Sequence, residues 1–111
     1  MAEATWQSFQ LEELIEKQRS SSRPYLEFLR VPALSCGIYS LPAGSRDLQS
    51  PHDEDEVYYV VTRRGRVRIG GAVEEVGPGS ILYIGATSAH SFFEIDEDIT
   101  LMVFFASGGP A

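Results

Sequence analysis

The sequence predicts an all-β domain, a single antiparallel β-barrel that follows a short N-terminal helix. After residue 24, short runs rich in Val, Ile, Tyr and Phe alternate with turns rich in Gly and Pro, which is typical of a sandwich or a barrel. Before that residue, apolar side chains recur at helical spacing. We therefore divide the chain into a helix with its linker, residues 1–24, and a barrel domain, residues 25–111.

The helix is predicted over residues 9–19, with Ser8 as its N-cap. Acidic residues lie near its start and basic residues near its end, which suits the helix dipole. Serines at 20–22 and Pro24 end it. One face carries the residues at spacings of three and four, Leu11, Leu14, Ile15 and Gln18.

The barrel strands are predicted at residues 25–31, 35–41, 56–62, 66–69, 80–84, 90–95 and 100–106. Two segments, 57–61 and 101–105, are apolar at nearly every position, so both of their faces should be covered. A barrel interior covers one face only. The other face needs the helix or a second subunit, and we therefore expect a homodimer.

Charge and composition exclude several classes of partner. Nine basic and 16 acidic residues give a net charge of −7, which argues against nucleic acid and anionic membranes. The most apolar stretch, 101–106, is too short to cross a bilayer. The single cysteine, Cys36, excludes an internal disulfide and is expected to be a small buried residue. With no secretory pattern at the first residues, we expect a cytoplasmic protein.

Two segments carry the residues that are suited to chemistry. Residues 44–65 contain His52 and Glu56, and residues 79–94 contain His90. These segments resemble the two motifs of the cupin superfamily, G-x5-H-x-H-x3,4-E-x6-G and G-x5-P-x-G-x2-H-x3-N. The resemblance implies a cupin, or jelly-roll, barrel. It does not by itself indicate a reaction, since cupins support many chemistries.

The resemblance further implies that His52, Glu56 and His90 point into the barrel and hold a divalent metal. The even separation of His52 and Glu56 agrees, because it is compatible with one strand face. Two imidazoles and a carboxylate suit Fe(II) and leave coordination positions open, with Mn, Ni or Zn as alternatives. Gln49, through its amide oxygen, or Ser50 is expected to be a weak or water-mediated fourth partner.

Several positions depart from the cupin motifs. Ser50 replaces the first histidine of motif one, and a hydroxyl is a poor ligand for such metals. Two extra residues, Arg63 and Arg64, lengthen the following hairpin. In motif two the chain has Gly85, Thr87 and Glu94 in place of Pro, Gly and Asn. These changes either lower the affinity for metal or leave a position for water or substrate.

Strand parity predicts the pocket wall. If Glu56 points inward, so do Tyr58 and Val60, and His90 similarly implies Phe92. Further lining is expected from one member of each of three pairs, Tyr39 or Ile38, Tyr83 or Leu82, and Met102 or Phe104. Tyr58 is the candidate catalytic residue, because its hydroxyl can donate to a bound substrate. The alternative is that these aromatic residues only fill the barrel.

The predicted function is that of a metal-dependent cupin acting on a small organic molecule. Fe(II) would support dioxygenase-like chemistry, and the other metals would support Lewis-acid isomerase or lyase chemistry. Two alternatives stay open, namely a barrel that binds a small ligand without reaction and a degenerate cupin with a vestigial site. The acidic run 53–55 is expected at the pocket mouth, where its charge disfavours anionic substrates.

Overall fold

A computed structural model describes residues 5–44, 54–86, 90–93, 95 and 97–106. Within them the chain forms one helix and eight strands. The elements are α1 (Leu11–Ser20), β1 (Tyr25–Val31), β2 (Leu34–Leu41), β3 (Glu56–Thr62), β4 (Gly65–Ile69), β5 (Ala72–Val76), β6 (Ile81–Ile84), β7 (His90–Phe93) and β8 (Ile99–Ala106). All strand pairings are antiparallel, which confirms the predicted all-β fold with its short helix.

The strands form two sheets with the core between them. One sheet has the order β1-β2-β8-β3-β6 and the other has the order β5-β4-β7. Both sheets contribute to one cluster of buried residues, including Val60 and Leu101 from the first and Val67 and Phe92 from the second. The interior therefore carries side chains from two facing walls, which is where a pocket can form.

Helix α1 packs on the outside of the larger sheet, against β1 and β2. It buries Leu14 and Gln18, and the Gln18 amide donates to the Arg23 carbonyl at 2.9 Å. The prediction of Ser8 as N-cap is wrong. Gln10 occupies that position in extended backbone without a side-chain cap, and Phe9 before it packs edge-on against Phe28 of β1 instead of entering the helix. No helix in the described part of the chain is long and apolar enough to cross a membrane.

The strands β1 and β3 have the predicted bounds, and the other predicted strands differ by one or two residues at an end. One strand, Ala72–Val76, was missed. It forms a hairpin with β4 through Gly70, whose φ of 58° favours glycine. Four of its five residues are exposed and only Val76 is buried. The strand therefore lacks the alternation by which a half-buried strand is detected.

The pairing of β8 corrects part of the predicted pocket wall. In register with β3, Glu56 lies opposite Phe105 and Tyr58 opposite Val103. The odd-numbered residues of β8 therefore face the interior. The expectation that Met102 or Phe104 lines the pocket is wrong, and Phe104 is 37% exposed on the outer face. Because β8 is apolar on both faces, its sequence does not reveal which face is inward.

Candidate metal and ligand site

Glu56 and His90 meet inside the barrel from opposite walls. Glu56 is the first residue of β3 in the larger sheet, and His90 is the first residue of β7 in the smaller one. The Glu56 Oε2 and His90 Nε2 atoms are 3.3 Å apart, and each side chain is 1% exposed. A carboxylate oxygen and an imidazole nitrogen thus point into the same buried space.

Tyr58 completes this group. It lies two residues after Glu56 on the same face of β3, and its hydroxyl is 3.2 Å from His90 Nε2. Its ring packs edge-on against the rings of His90 and Phe92, with centroid distances of 5.8 and 5.3 Å. A protonated Nε2 donates to the carboxylate, whereas an unprotonated Nε2 accepts from the Tyr58 hydroxyl. In both tautomers the imidazole is held in one orientation.

The donor types fit a divalent metal. Nitrogen and oxygen ligands of this kind suit Fe(II), Mn, Ni or Zn. A buried carboxylate is also stabilised by a nearby cation, since an ion away from water requires a compensating charge. Among the residues that the structure describes, no three His, Cys, Asp or Glu side chains come together. The other expected partners, His52 and Gln49, lie outside the described residues, as does Ser50.

The predicted wall around this group is largely present. Val60 and Phe92 are fully buried beside Tyr58. Of the paired alternatives, Tyr39 and Leu82 pack against the core, whereas Tyr83 is 65% exposed. Ile38, the alternative to Tyr39, is fully buried but lies on the opposite face of β2, where α1 packs. The carboxylate–imidazole pair is therefore enclosed mainly by aromatic and aliphatic side chains.

Asp55, expected at an acidic rim, has a structural role. Its carboxylate Oδ1 accepts from the Ala86 backbone N–H at 2.8 Å, and its carbonyl accepts from the Ala106 N–H at 3.0 Å. The same carboxylate raises the pKa of the exposed Tyr83 hydroxyl by charge and by a hydrogen bond. Asp55 thus ties the start of β3 to the ends of β6 and β8, and so helps to position Glu56.

Two buried hydroxyls on the inner face of the larger sheet were not identified from the sequence. Tyr25 Oη and Ser35 Oγ are buried and have no hydrogen-bond partner within the part of the chain that the structure describes. The signal that was available is the alternation of Ser35, Gly37 and Tyr39 on one face of β2. A glycine between two polar residues marks a shallow point on that face.

Comparison with solved structures confirms the cupin fold. An uncharacterised protein from Klebsiella pneumoniae with a double-stranded β-helix domain superposes with a TM-score of 0.76 at 16% identity, over 93% of this chain and 91% of the other. KdgF from Halomonas superposes with a TM-score of 0.69 at 18% identity, over 75% and 76%. Oxalate decarboxylase from Bacillus subtilis matches with a TM-score of 0.67 at 25% identity, over 72% of this chain and 22% of the enzyme.

A relative in sequence defines the family more narrowly. An uncharacterised protein of Streptomyces coelicolor is 40% identical over 99 residues, which cover 89% of this chain and 94% of the relative. The chain belongs to the same family as that Streptomyces protein. No family model matches the sequence.

Proposed function

We propose that this protein is a metal-binding, single-domain cupin that acts on a small organic molecule. His52, Glu56 and His90 hold the metal, and Gln49 is a weak fourth partner. The observation that carries the proposal is the pair formed by Glu56 Oε2 and His90 Nε2, 3.3 Å apart with both side chains 1% exposed. These two atoms are of the types that bind the proposed metals.

A bound divalent ion, with Fe(II) favoured, would supply open positions for an oxygen-bearing substrate and either redox or Lewis-acid chemistry. The Tyr58 hydroxyl donates a hydrogen bond to the substrate, since that hydroxyl is buried and lies 3.2 Å from His90 Nε2. Val60 and Phe92 keep water away, which strengthens every polar interaction inside. The match to oxalate decarboxylase supports catalysis, because an enzyme is built on this fold.

Metal stoichiometry tests the proposal. Protein purified without a chelating tag is reconstituted separately with Fe(II), Mn(II), Ni(II) and Zn(II), then analysed for bound metal. We expect one ion per chain in the wild type, a large loss in His52→Ala and His90→Ala, and a smaller loss in Glu56→Gln. Glu75→Gln is the matched control, because Glu75 lies on the exposed strand β5 and pairs with Arg66 at 3.4 Å.

The outcomes separate the alternatives. A wild type that binds none of the four metals contradicts the proposal and leaves a degenerate cupin. Full metal in His90→Ala contradicts the ligand assignment even though the fold is correct. Metal retained in the wild type without turnover of any small substrate favours a barrel that binds a ligand without reaction.

We also propose a homodimer that forms through the outer face of the larger sheet. Helix α1 covers β1 and β2, but β3, β6 and β8 have no such cover among the described elements. Their outer face exposes Tyr59, Ile81, Tyr83 and Phe104, at 37%, 69%, 65% and 37%. A contiguous apolar surface of this kind is typical of a subunit interface.

Light scattering tests the dimer. We expect twice the chain mass of 12.3 kDa for the wild type and a shift towards the monomer for Ile81→Glu. Val73→Glu is the control, because Val73 is 42% exposed on the other sheet. A wild type that stays monomeric at high concentration contradicts the proposal. The cytoplasmic location stays a prediction.

A further inference from the structure

The Tyr25 hydroxyl lies on the inner face of the larger sheet. The Tyr25 ring packs edge-on against the rings of Tyr39 and Phe105, with centroid distances of 6.2 and 6.4 Å. It lies directly over Gly37, because a Cβ added to that glycine would overlap both the ring and its hydroxyl. The hydroxyl is buried, and no group in the described part of the chain bonds to it.

The hydroxyl of Ser35, on the same face of the sheet, is also buried without a hydrogen-bond partner among the described residues. The residue as a whole is fully buried. The register pairs Ser35 with Phe105, and Phe105 in turn with Glu56. Ser35 and Glu56 are therefore in one row across the sheet, two strand spacings or roughly 10 Å apart.

Two buried hydroxyls without partners are costly, since each has given up its bonds to water. Burial raises the pKa of Tyr25 to about 12, helped by the nearby charge of Glu27, so the phenol stays protonated at neutral pH. It can therefore act as a donor, and the Ser35 hydroxyl can act as a second. A ligand that supplies an acceptor would relieve the cost of both.

The nearest cation, Arg30, is paired with a carboxylate, so the two hydroxyls are the groups left to bind an acceptor on a ligand. Arg30 lies opposite Ser35 in the register, at the edge of the same face. Its guanidinium pairs with Glu27 through two contacts, Nη2 to Oε1 at 2.6 Å and Nε to Oε2 at 3.2 Å. The positive charge of Arg30 is thus balanced by Glu27.

We propose that Tyr25 and Ser35 form a subsite that binds an acceptor oxygen, of a carbonyl or a carboxylate, on the small molecule that occupies the barrel. The subsite rests on the proposed function, because the same molecule would extend from these hydroxyls past Phe105 to Glu56 and His90. It assigns a specificity role to two residues outside the metal group.

The test uses two small probes with the metal-free full-length protein, acetone for a carbonyl and acetate for a carboxylate. Titrations are followed by the backbone amide signals of Ser35 and Gly37 in ¹H–¹⁵N spectra. We expect saturable shifts with at least one probe, and the probe that binds identifies the type of oxygen. Tyr25→Phe and Ser35→Ala should each weaken binding roughly three- to tenfold, as loss of one neutral hydrogen bond does. Tyr59→Phe, on the outer face, is the matched control and should bind as the wild type does.

Thermal unfolding without a probe gives an independent readout. Because the Tyr25 hydroxyl has no bond to lose, Tyr25→Phe should melt at the same temperature as the wild type or higher. Absence of saturable shifts with both probes, unchanged affinity in both variants, or a clearly lower Tm for Tyr25→Phe would overturn the subsite. Metal content is measured separately. If the protein binds a probe but never takes up metal, the proposed function is refuted and the subsite stands. If it takes up metal normally but binds neither probe, the subsite is refuted and the proposed function stands.

Discussion

Replacing Gly37 with alanine should destabilise the protein through one contact. The added Cβ would overlap the ring and hydroxyl of Tyr25. The rings of Tyr39 and Phe105 pack edge-on against that ring and resist its displacement. Overpacking of this kind costs about 1–3 kcal/mol. Removing a strand glycine offsets about 0.5–1 kcal/mol of that. The net cost is then up to about 2.5 kcal/mol, and at roughly 4 °C per kcal/mol for a domain of this size we expect Tm to fall by up to about 10 °C.

The assay is thermal and urea unfolding followed by circular dichroism, with two controls. Gly71→Ala should change Tm little, since nothing lies within 4 Å of an added Cβ there. In a Tyr25→Ala background the same Gly37→Ala change should cost less than about 0.5 kcal/mol, because the obstructing ring is gone. An equal loss of stability in both backgrounds would refute the contact as the cause.

Three further predictions concern the core and its titratable groups. Cys36 is 4% exposed, and burial raises the pKa of its thiol. The thiol should therefore react with a disulfide reagent far more slowly in the native protein than in urea. Equal reaction rates in the two conditions would contradict this prediction. The pKa of Tyr25 rises from 10.0 to about 12 on folding, so its contribution to stability is present below pH 10.0 and is lost as the pH rises towards 12. Urea unfolding of the wild type and Tyr25→Phe across that range should show a smaller alkaline loss in the variant, and parallel curves would exclude Tyr25 as the group. Phe92→Ala should cost about 3–5 kcal/mol in the same assay, against less than about 1 kcal/mol for Val73→Ala, where the side chain is 42% exposed on the smaller sheet.

The sequence predicts the fold well because most of its strands alternate or end at clear turns. The bounds of β1 and β3 were predicted to the residue. The missed strand β5 shows where this reasoning fails. Its residues Glu74 and Glu75 are exposed, and pairing with β4, rather than burial, holds it in the sheet. Backbone pairing with a neighbouring strand leaves no periodic signal in the sequence of the strand itself.

The residues of the candidate site could be predicted only on strands where one residue indicates which face points into the barrel. On β3 the carboxylate of Glu56 distinguishes the faces, so Tyr58 and Val60 were correctly expected inside. On β8 every residue from 101 to 105 is apolar, and both candidates chosen for the pocket, Met102 and Phe104, face outward. The register with β3 decides that question, and it depends on contacts between distant segments.

The same limit explains why the hydroxyls of Tyr25 and Ser35 escaped prediction. Neither residue belongs to a motif, and a tyrosine at the start of an edge strand is ordinarily a surface residue. Three separate facts bring the two residues together: the register of β1 with β2, the register of β2 with β8, and the space that Gly37 leaves for the ring. Two of these facts belong to the hairpin of β1 and β2, but the register of β2 with β8 joins distant segments of the chain. Glu56 and His90 are farther apart along the chain than Tyr25 and Ser35, but the resemblance to known motifs identified them before any register was known. Residues outside such motifs become visible as site candidates only when the pairing of the strands shows which polar groups are buried without a partner.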